Sequence, residues 1–463
     1  MASPFIENRT FDEIKVGDSA SLTRTLKEED IQLFAVMSGD VNPAHVDPEY
    51  AGSSMFREVI AHGMWGGALI STVLGTEFPG PGTIYIGQTL RFSRPVKVGD
   101  TITVTVTCKQ KQEQNKRIIF ECLCTNQEGQ KVIAGEAEVL APTQKIRRER
   151  MELPEITISD RWARYHKLIA RAKGLPAASA VFANPIQPES LQSAAVARDT
   201  GILRPYLVGP EKLLREAAEA HAIDLKGCRI VDVPHARAAV ARAVEMAATG
   251  DAEILVQGAV ATHEFLGNVI ATGPLRGERR LSHALYLDVP RYARPFIISD
   301  MMVNIEPTLE EKVEIVQNAI DFAQVMGIIE PKVAILAGID TVTPKMRATL
   351  DAAALCKMAE RGQITGGALD GPLGFDNAVS VTAARNAGLT SPVAGHADVL
   401  IAPDLEAGNM LAKQLEHLSD AISGGVVLGA PVPIVLANRN DPIESRVASL
   451  VLSLLVANHR RAP

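Results

Sequence analysis

Asp40 and His45 stand five residues apart in the stretch SGDVNPAHVDPEYA, residues 38–51, with Asn42 and Pro43 between them. A carboxylate and an imidazole that share one water make a general acid/base unit near neutral pH. On a continuous helix, positions five apart point about 140° away from each other. Pro43 removes a backbone donor and restricts Asn42 to extended geometry, which excludes such a helix. The preceding EEDIQLFAVMSG has apolar residues at helical spacing and stops at Gly39, a suitable C-cap. Asp40 and His45 are therefore expected on an irregular turn where both side chains can converge. Taken alone, the stretch also reads as a turn in which Asp40 caps the backbone and His45 is a surface group.

The next segment, IAHGMWGGALISTVLG at residues 60–75, is uncharged and apolar all round. A helix of that kind is expected to be buried on every side. Gly66, Gly67 and Ala68 would let a sheet wrap closely on it. Its first turn at His62 and Gly63 would present free N–H groups and the positive end of the helix dipole. A thioester carbonyl placed there would find an oxyanion hole, where one donor is worth roughly 3–4 kcal/mol. Gly63 permits close ligand approach, and tight packing alone is the other reading. Met64 and Trp65 fit an acyl pocket or the core equally well.

These stretches, continued by PGPGTIYIGQTLRFSRPVKVGD, resemble the MaoC-like (R)-specific enoyl-CoA hydratases over roughly residues 10–142. The D-x-N-P-x-H turn and the H-G-M helix start occur in order and at matching spacing. The resemblance implies a hot-dog fold, a long central helix wrapped by an antiparallel sheet. It implies Asp40 and His45 as the catalytic pair holding the water, and the Gly63 amide as donor to the thioester oxygen. Ser71, near the acyl pocket, and Asn42 are the implied substrate contacts. The implied reaction is syn addition of water to a trans-2-enoyl-CoA, giving an (R)-3-hydroxyacyl-CoA. A homodimer or higher homo-oligomer is implied, because hot-dog modules usually pair.

The strands such a fold needs are present. GTIYIGQTLRFSRPV, DTITVTVTCKQ, RIIFECLCTN and KVIAGEAEVLAP alternate or carry β-branched runs, with turn chemistry at VGD and NQEG. Their short spacing predicts an antiparallel sheet. Cys122 and Cys124 lie two apart in one run and are expected in the core. The five cysteines show no paired spacing, which fits a reducing cytoplasm. No His/Cys/Asp/Glu group has metal-ligand spacing, so no metal site is expected. The net charge of −7 and the scarcity of aromatics argue against nucleic acid. The first residues lack a signal-peptide pattern, and VASLVLSLLVAN is too short to span a bilayer and reads as a buried terminal helix.

Near residue 145 the pattern changes. TQKIRRERMELPE is charged and predicts a linker running into a helix, whose basic cluster could touch a CoA phosphate or simply be solvated. Beyond residue 160, RPYLVG, CRIVDV, AEILVQG, HALYLDV, PFIISD, KVAILAG, ADVLIAP and VPIVLAN read as buried parallel strands. Amphipathic helices such as TLEEKVEIVQNAIDFAQVMG lie between them. GGALDGPLGFDNAVS, PDLEAGNM, RRLSH and ANRND are small and polar stretches after strands, where open α/β sheets bind ligands. None is a P-loop, and each taken singly reads as a turn.

Together they resemble the phosphate acetyltransferase/phosphate butyryltransferase family, whose members move an acyl group between CoA and phosphate. The resemblance implies two α/β lobes with a cleft between. It implies arginines that neutralise phosphate and a base that activates the CoA thiol. Arg439 matches the family's arginine near the C-terminus, and Asp441, just after it, is the candidate base. Arg280 and Ser282, in RRLSH, match a phosphate-binding stretch. Three positions depart from the pattern: Asn438 stands for serine, Gln257 for lysine, and Asn268 near a basic residue.

The expected architecture is an α+β hot-dog domain followed by a two-lobed α/β domain of the phosphate acetyltransferase type. Residues 1–145 form the first, 146–159 the linker and 160–463 the second, with its second lobe at roughly 299–425. The expected protein is bifunctional, takes CoA thioesters and inorganic phosphate as substrates, and binds no cofactor, nucleic acid or membrane. Two other readings stand beside it. One is a hydratase whose C-terminal half is a CoA-binding or oligomerisation scaffold. The other is a non-catalytic acyl-CoA-binding protein.

Overall fold

The computed structural model describes residues 4–154, 156, 162–438 and 440–461. The chain divides into two compact units, residues 1–158 and 159–463.

The first unit is built on a six-stranded antiparallel sheet. Along it lie Ser19–Thr25, Thr101–Gln112, Arg117–Thr125, Lys131–Leu140 and Ile84–Gln88, with Arg91–Phe92 also paired to Lys131–Leu140. Alternation sets the register. Ile102, Val104, Val106 and Cys108 are buried, while the intervening threonines face outward. There Thr101, Thr103 and Thr105 bond Thr25, Thr23 and Ser21 on the neighbouring strand at 2.9–3.1 Å. Cys122 and Cys124 are fully buried, and the five cysteines are free thiols.

The helix Gly63–Thr72 presses Trp65, Gly66, Leu69 and Ile70 against this sheet. Gly66 lets the helix pack closely there, since a Cβ would stand 2.3 Å from Ile133 Cδ1 and push that side chain aside. The expectation that this helix is buried all round does not hold within one chain. Met64 is 55% exposed, and Ser71 and Thr72 also face outward. One face of an apolar helix is left uncovered because the sheet wraps only the other.

The linker expectation is also corrected. Arg147–Glu149 form a strand paired antiparallel with Phe5–Glu7, so the basic cluster belongs to a two-stranded ribbon of the first unit. Residues 157–161 lie outside the described ones.

The second unit carries one eleven-stranded sheet. All eight apolar runs are strands, and HALYLDV is the exception to their parallel sense. One parallel block holds Arg229–Asp232, Leu203–Gly209, Ala178–Ala183, Ile254–Gln257 and Ile434–Val435. The other holds Phe296–Ser299, Val399–Ile401, Lys332–Leu336 and Ala368–Leu373. Between them Ile422–Leu428 and Ser282–Asp288 run antiparallel to each neighbour, so the two blocks point in opposite senses.

Three of these strands were not expected: ASAVFA, ALDGPL and ISGGVVL. Two of them carry glycines where neighbours pack directly on the backbone. A Cβ on Gly371 would stand 2.8 Å from Ile335 Cβ, and one on Gly424 3.0 Å from Ala448. The helix Leu309–Val325 starts with Thr308 and Glu311 in a reciprocal capping box. The last helix, Ile443–Arg461, is buried from Ser445 to Ala457. Among the described residues no helix is long and apolar enough to cross a membrane.

Candidate active sites

The helix Glu28–Ser38 ends at Gly39, whose φ of 74° belongs to the left-handed region that glycine enters without strain. Asp40 and Val41 then cross to Asn42, which caps the single helical turn Pro43–Val46 by accepting from Ala44 N–H at 3.1 Å. The turn is more regular than expected. Pro43 bars a helix running through it, yet suits the first position of a new one, where no intrahelical donor is needed. Asn42 thus uses its side chain as a cap, and its N–H donates to Asp40 Oδ1 at 3.2 Å.

His45, on this turn, has Nδ1 2.9 Å from the carbonyl of Ile60. That contact makes Nδ1 the protonated nitrogen and leaves the Nε2 lone pair free to act as a base. His62, immediately before Gly63, was expected to contribute only its backbone to the helix start, not its side chain. It is buried, its ring centroid lies 4.1 Å from that of His45, and its Nε2 meets the Asp40 carbonyl at 3.1 Å. One ligand-type atom from each of Asp40, His45 and His62 falls within 4.8 Å of the others. Spacing along the chain could not reveal this set, because His62 reaches it through the fold. It could hold a water or a cation.

Gly63 opens its helix, and the first turn leaves its N–H without an intrahelical acceptor. A Cβ on Gly63 would stand 3.1 Å from the Phe92 ring, so the glycine also serves packing. A cavity of about 400 Å³ opens beside Gly63 and His62, lined by Met55, Phe56, Trp65 and Phe92. Ser71 is exposed, two turns or roughly 12 Å along the helix from Gly63.

In the second unit, Asp441 follows the strand Ile434–Val435; Arg439 lies outside the described residues. The buried guanidinium of Arg446 bonds the carbonyls of Asn438 at 2.6 Å and Asp441 at 3.2 Å, pinning this loop. Asp441 Oδ2 accepts from Asn438 N–H at 3.2 Å. Burial pushes its carboxyl above the ordinary range, Lys413 opposes that, and Glu416 adds to it.

Arg280 and Ser282 are not drawn into this loop. The Arg280 guanidinium is engaged by Asn304 and, at 2.8 Å, by Glu311. Ser282 is fully buried and accepts from Asn318 Nδ2 at 2.9 Å. Side chains alternate along a strand, so it is the next residue, His283, that faces the cavity under Asn438 and Asp441. Burial, with Lys413 nearby, pushes the His283 imidazole down to about 3. Gln257 is buried and bonds Val260 O, Thr262 Oγ1 and Ala437 N–H, so its amide fills a structural role. Asn268 bonds the Glu264 carbonyl of its own helix.

Comparison with known proteins agrees with this division. The Phosphate acetyl/butaryl transferase family model matches residues 235–453, and the MaoC like domain model matches residues 12–127. The phosphate acetyltransferase of Rhizobium meliloti is 49% identical over 301 residues, which are 65% of this chain and 95% of that protein. A branched-chain phosphotransacylase from Enterococcus faecalis V583 superposes with a TM-score of 0.54 at 28% identity, over 60% of this chain and 99% of its own. The R-hydratase PhaJ1 from Pseudomonas aeruginosa is 47% identical, over 33% of this chain and 99% of its own, with a TM-score of 0.33.

The class is thus an enzyme in two parts, a MaoC-like hot-dog domain followed by an acyltransferase of the α/β type. The chain belongs to the phosphate acetyl/butyryltransferase family.

Proposed function

We propose that the chain is a bifunctional acyl-CoA enzyme: residues 1–145 hydrate trans-2-enoyl-CoA to (R)-3-hydroxyacyl-CoA, and residues 160–463 exchange acyl groups between CoA and phosphate. The hydratase reading rests on one observation, the convergence of Asp40, His45 and His62 beside the helix start at Gly63. The Gly63 amide, at the positive end of the helix, polarises the thioester so that C3 becomes electrophilic. A water between Asp40 and His45 loses a proton to one of them as its oxygen bonds C3. That proton is then passed to C2 on the same face, which makes the addition syn and restores the pair. Asn42 and Ser71 are the candidate substrate contacts, Ser71 toward the acyl end.

A homodimer is supported by the exposed apolar side chains of Met64, Ile84 and Ile86, the last two on the edge strand Ile84–Gln88. Free cysteines support action in a reducing cytoplasm.

In the transferase half, Arg439 is the candidate phosphate ligand and Asp441 the candidate base for the CoA thiol. The 49% identity to a phosphate acetyltransferase over nearly its whole length favours an active transferase over a scaffold. Two assays on the purified full chain test both parts. One follows loss of the conjugated enoyl thioester, with Asp40→Asn as control. The other follows phosphate-dependent release of CoA, with Arg439→Ala as control. Silence in the first assay across short and medium chains refutes the hydratase, and silence in the second refutes the transferase.

A further inference from the structure

Beneath the loop at Asn438–Asp441 lies a small cavity walled by charged and hydroxyl side chains from three elements of the second unit. The helix Leu405–Leu418 sends in Lys413 and Glu416, one turn apart. Lys413 Nζ donates to Glu416 Oε2 at 2.6 Å and stands 4.0 Å from Asp441 Oδ1. Glu416 Oε1 accepts from Ser423 Oγ at 2.6 Å. One ammonium therefore sits between two carboxylates, and the second carboxylate is fixed by a serine on the strand Ile422–Leu428. His283, from the neighbouring strand, closes the floor with a buried Nδ1 that has no hydrogen-bond partner.

We propose that Lys413 and Glu416 are positioning residues that set the charge of Asp441, so that Lys413, Glu416 and Asp441 together form the proton-handling centre of the acyltransferase. This rests on Asp441 as the base, the role given to it above. The step balances as follows. The CoA thiol gives its proton to the Asp441 carboxylate, and the thiolate sulfur forms a bond to the acyl carbon of the acyl phosphate. The bond from that carbon to the bridging oxygen breaks, and its electron pair leaves with the phosphate. The proton held on Asp441 then passes to the departing phosphate, which restores the carboxylate.

A base in this position must be ionised to start the cycle and must hold a proton during it. Burial opposes ionisation, because a charge in a poorly solvated site is costly. Lys413 offsets that cost, and Glu416 limits the offset by competing for the same ammonium. Among the described residues, the charged and titratable groups around Asp441 are Lys413 and Glu416 from one helix, Arg446 from the last helix and His283 from the strand. Arg446 donates to the carbonyls of Asn438 and Asp441 and keeps its charge, which also favours the carboxylate. His283 is held neutral by burial. Of these side chains, Lys413 lowers the carboxyl most and Glu416 raises it, with Arg446 a lesser influence.

The test is the pH profile of kcat/KM for acyl transfer from acetyl phosphate to CoA, whose acid limb reports ionisation of the base in the free enzyme. It is measured on full-length wild type, Lys413→Met, Lys413→Arg, Glu416→Gln and Asp441→Asn. Loss of a cation at this range should move the limb up by about one to three pH units in Lys413→Met. Glu416→Gln should move it down, and Lys413→Arg should restore the wild-type position. If Lys413→Met does not fold, the downward move in Glu416→Gln decides alone. Asp441→Asn retaining more than about a tenth of wild-type turnover overturns the base assignment itself, since a working general base contributes about 10²–10⁴-fold. An inactive Asp441→Asn with limbs that stay put, or that move the same way in the two charge-removing variants, overturns the role of Lys413 and Glu416 alone.

Discussion

Replacing Asp40 by Asn removes a proton acceptor and almost nothing else. The side chain is exposed, and its described bond is the one its Oδ1 accepts from Asn42 N–H at 3.2 Å. An amide oxygen can accept that bond too, so the turn should persist. The bond from His62 reaches the Asp40 carbonyl, which every residue has. A surface substitution that breaks no such feature changes stability by within about 0.5 kcal/mol. The chemistry is different. General acid/base participation is worth about 10²–10⁴-fold, which corresponds to about 2.7–5.4 kcal/mol at 1.36 kcal/mol for each factor of ten. The expected result is therefore a kcat for enoyl-CoA hydration lower by two to four orders of magnitude on those same estimates. KM and the unfolding midpoint should stay near wild type. Absorbance of the conjugated thioester gives the rates, and urea unfolding gives the stability. A kcat within tenfold of wild type would refute the shared-water mechanism. So would a fall in rate matched by a fall in stability.

Three further outcomes follow from packing and charge. Gly135→Ala would place a Cβ 1.8 Å from the Thr89 carbonyl oxygen, so hydratase activity and the folding of the first unit should be lost while phosphate-dependent CoA release persists. Asp351→Ala would strand Lys312, whose ion pair with it is buried at 2.7 Å, and should cost about 3–5 kcal/mol in urea unfolding followed by transferase activity. His283 has a folded value of about 3, below its ordinary 6.5. The unfolded chain therefore binds more protons between those values, so this contribution is complete above the ordinary value and shrinks as pH falls. It should weaken the second unit by about 2 kcal/mol between pH 7 and pH 5. His283→Leu should flatten that slope, and an unchanged slope would remove His283 from the account.

Much of this was legible along the chain because it depends on neighbours in sequence. Gly39 and Pro43 bracket a turn by backbone sterics alone, and they place Asp40 and His45 together. The threonine-alternating run at residues 101–108 declares its buried face by its period of two. The apolar runs of the second half declare strands by their density of β-branched residues, since a strand buried on both faces must be apolar throughout. The strands ALDGPL and ISGGVVL carry glycines that dilute that signature, because neighbours pack directly on their backbone.

What remained for the tertiary structure was every relation between distant positions and every choice between faces. His62 joins Asp40 and His45 only because its helix starts under their turn. Ser282 looked like a ligand from its motif, but strand alternation turns it toward Asn318 and gives the cavity to His283. Lys413 and Glu416 stand three apart on one helix, a spacing that carries no sign of Asp441, 4.0 Å from Lys413 in the fold. A linear pattern can state which side chains are capable of chemistry. Which of them meet is decided by packing, because burial and register bring together groups that no local spacing relates.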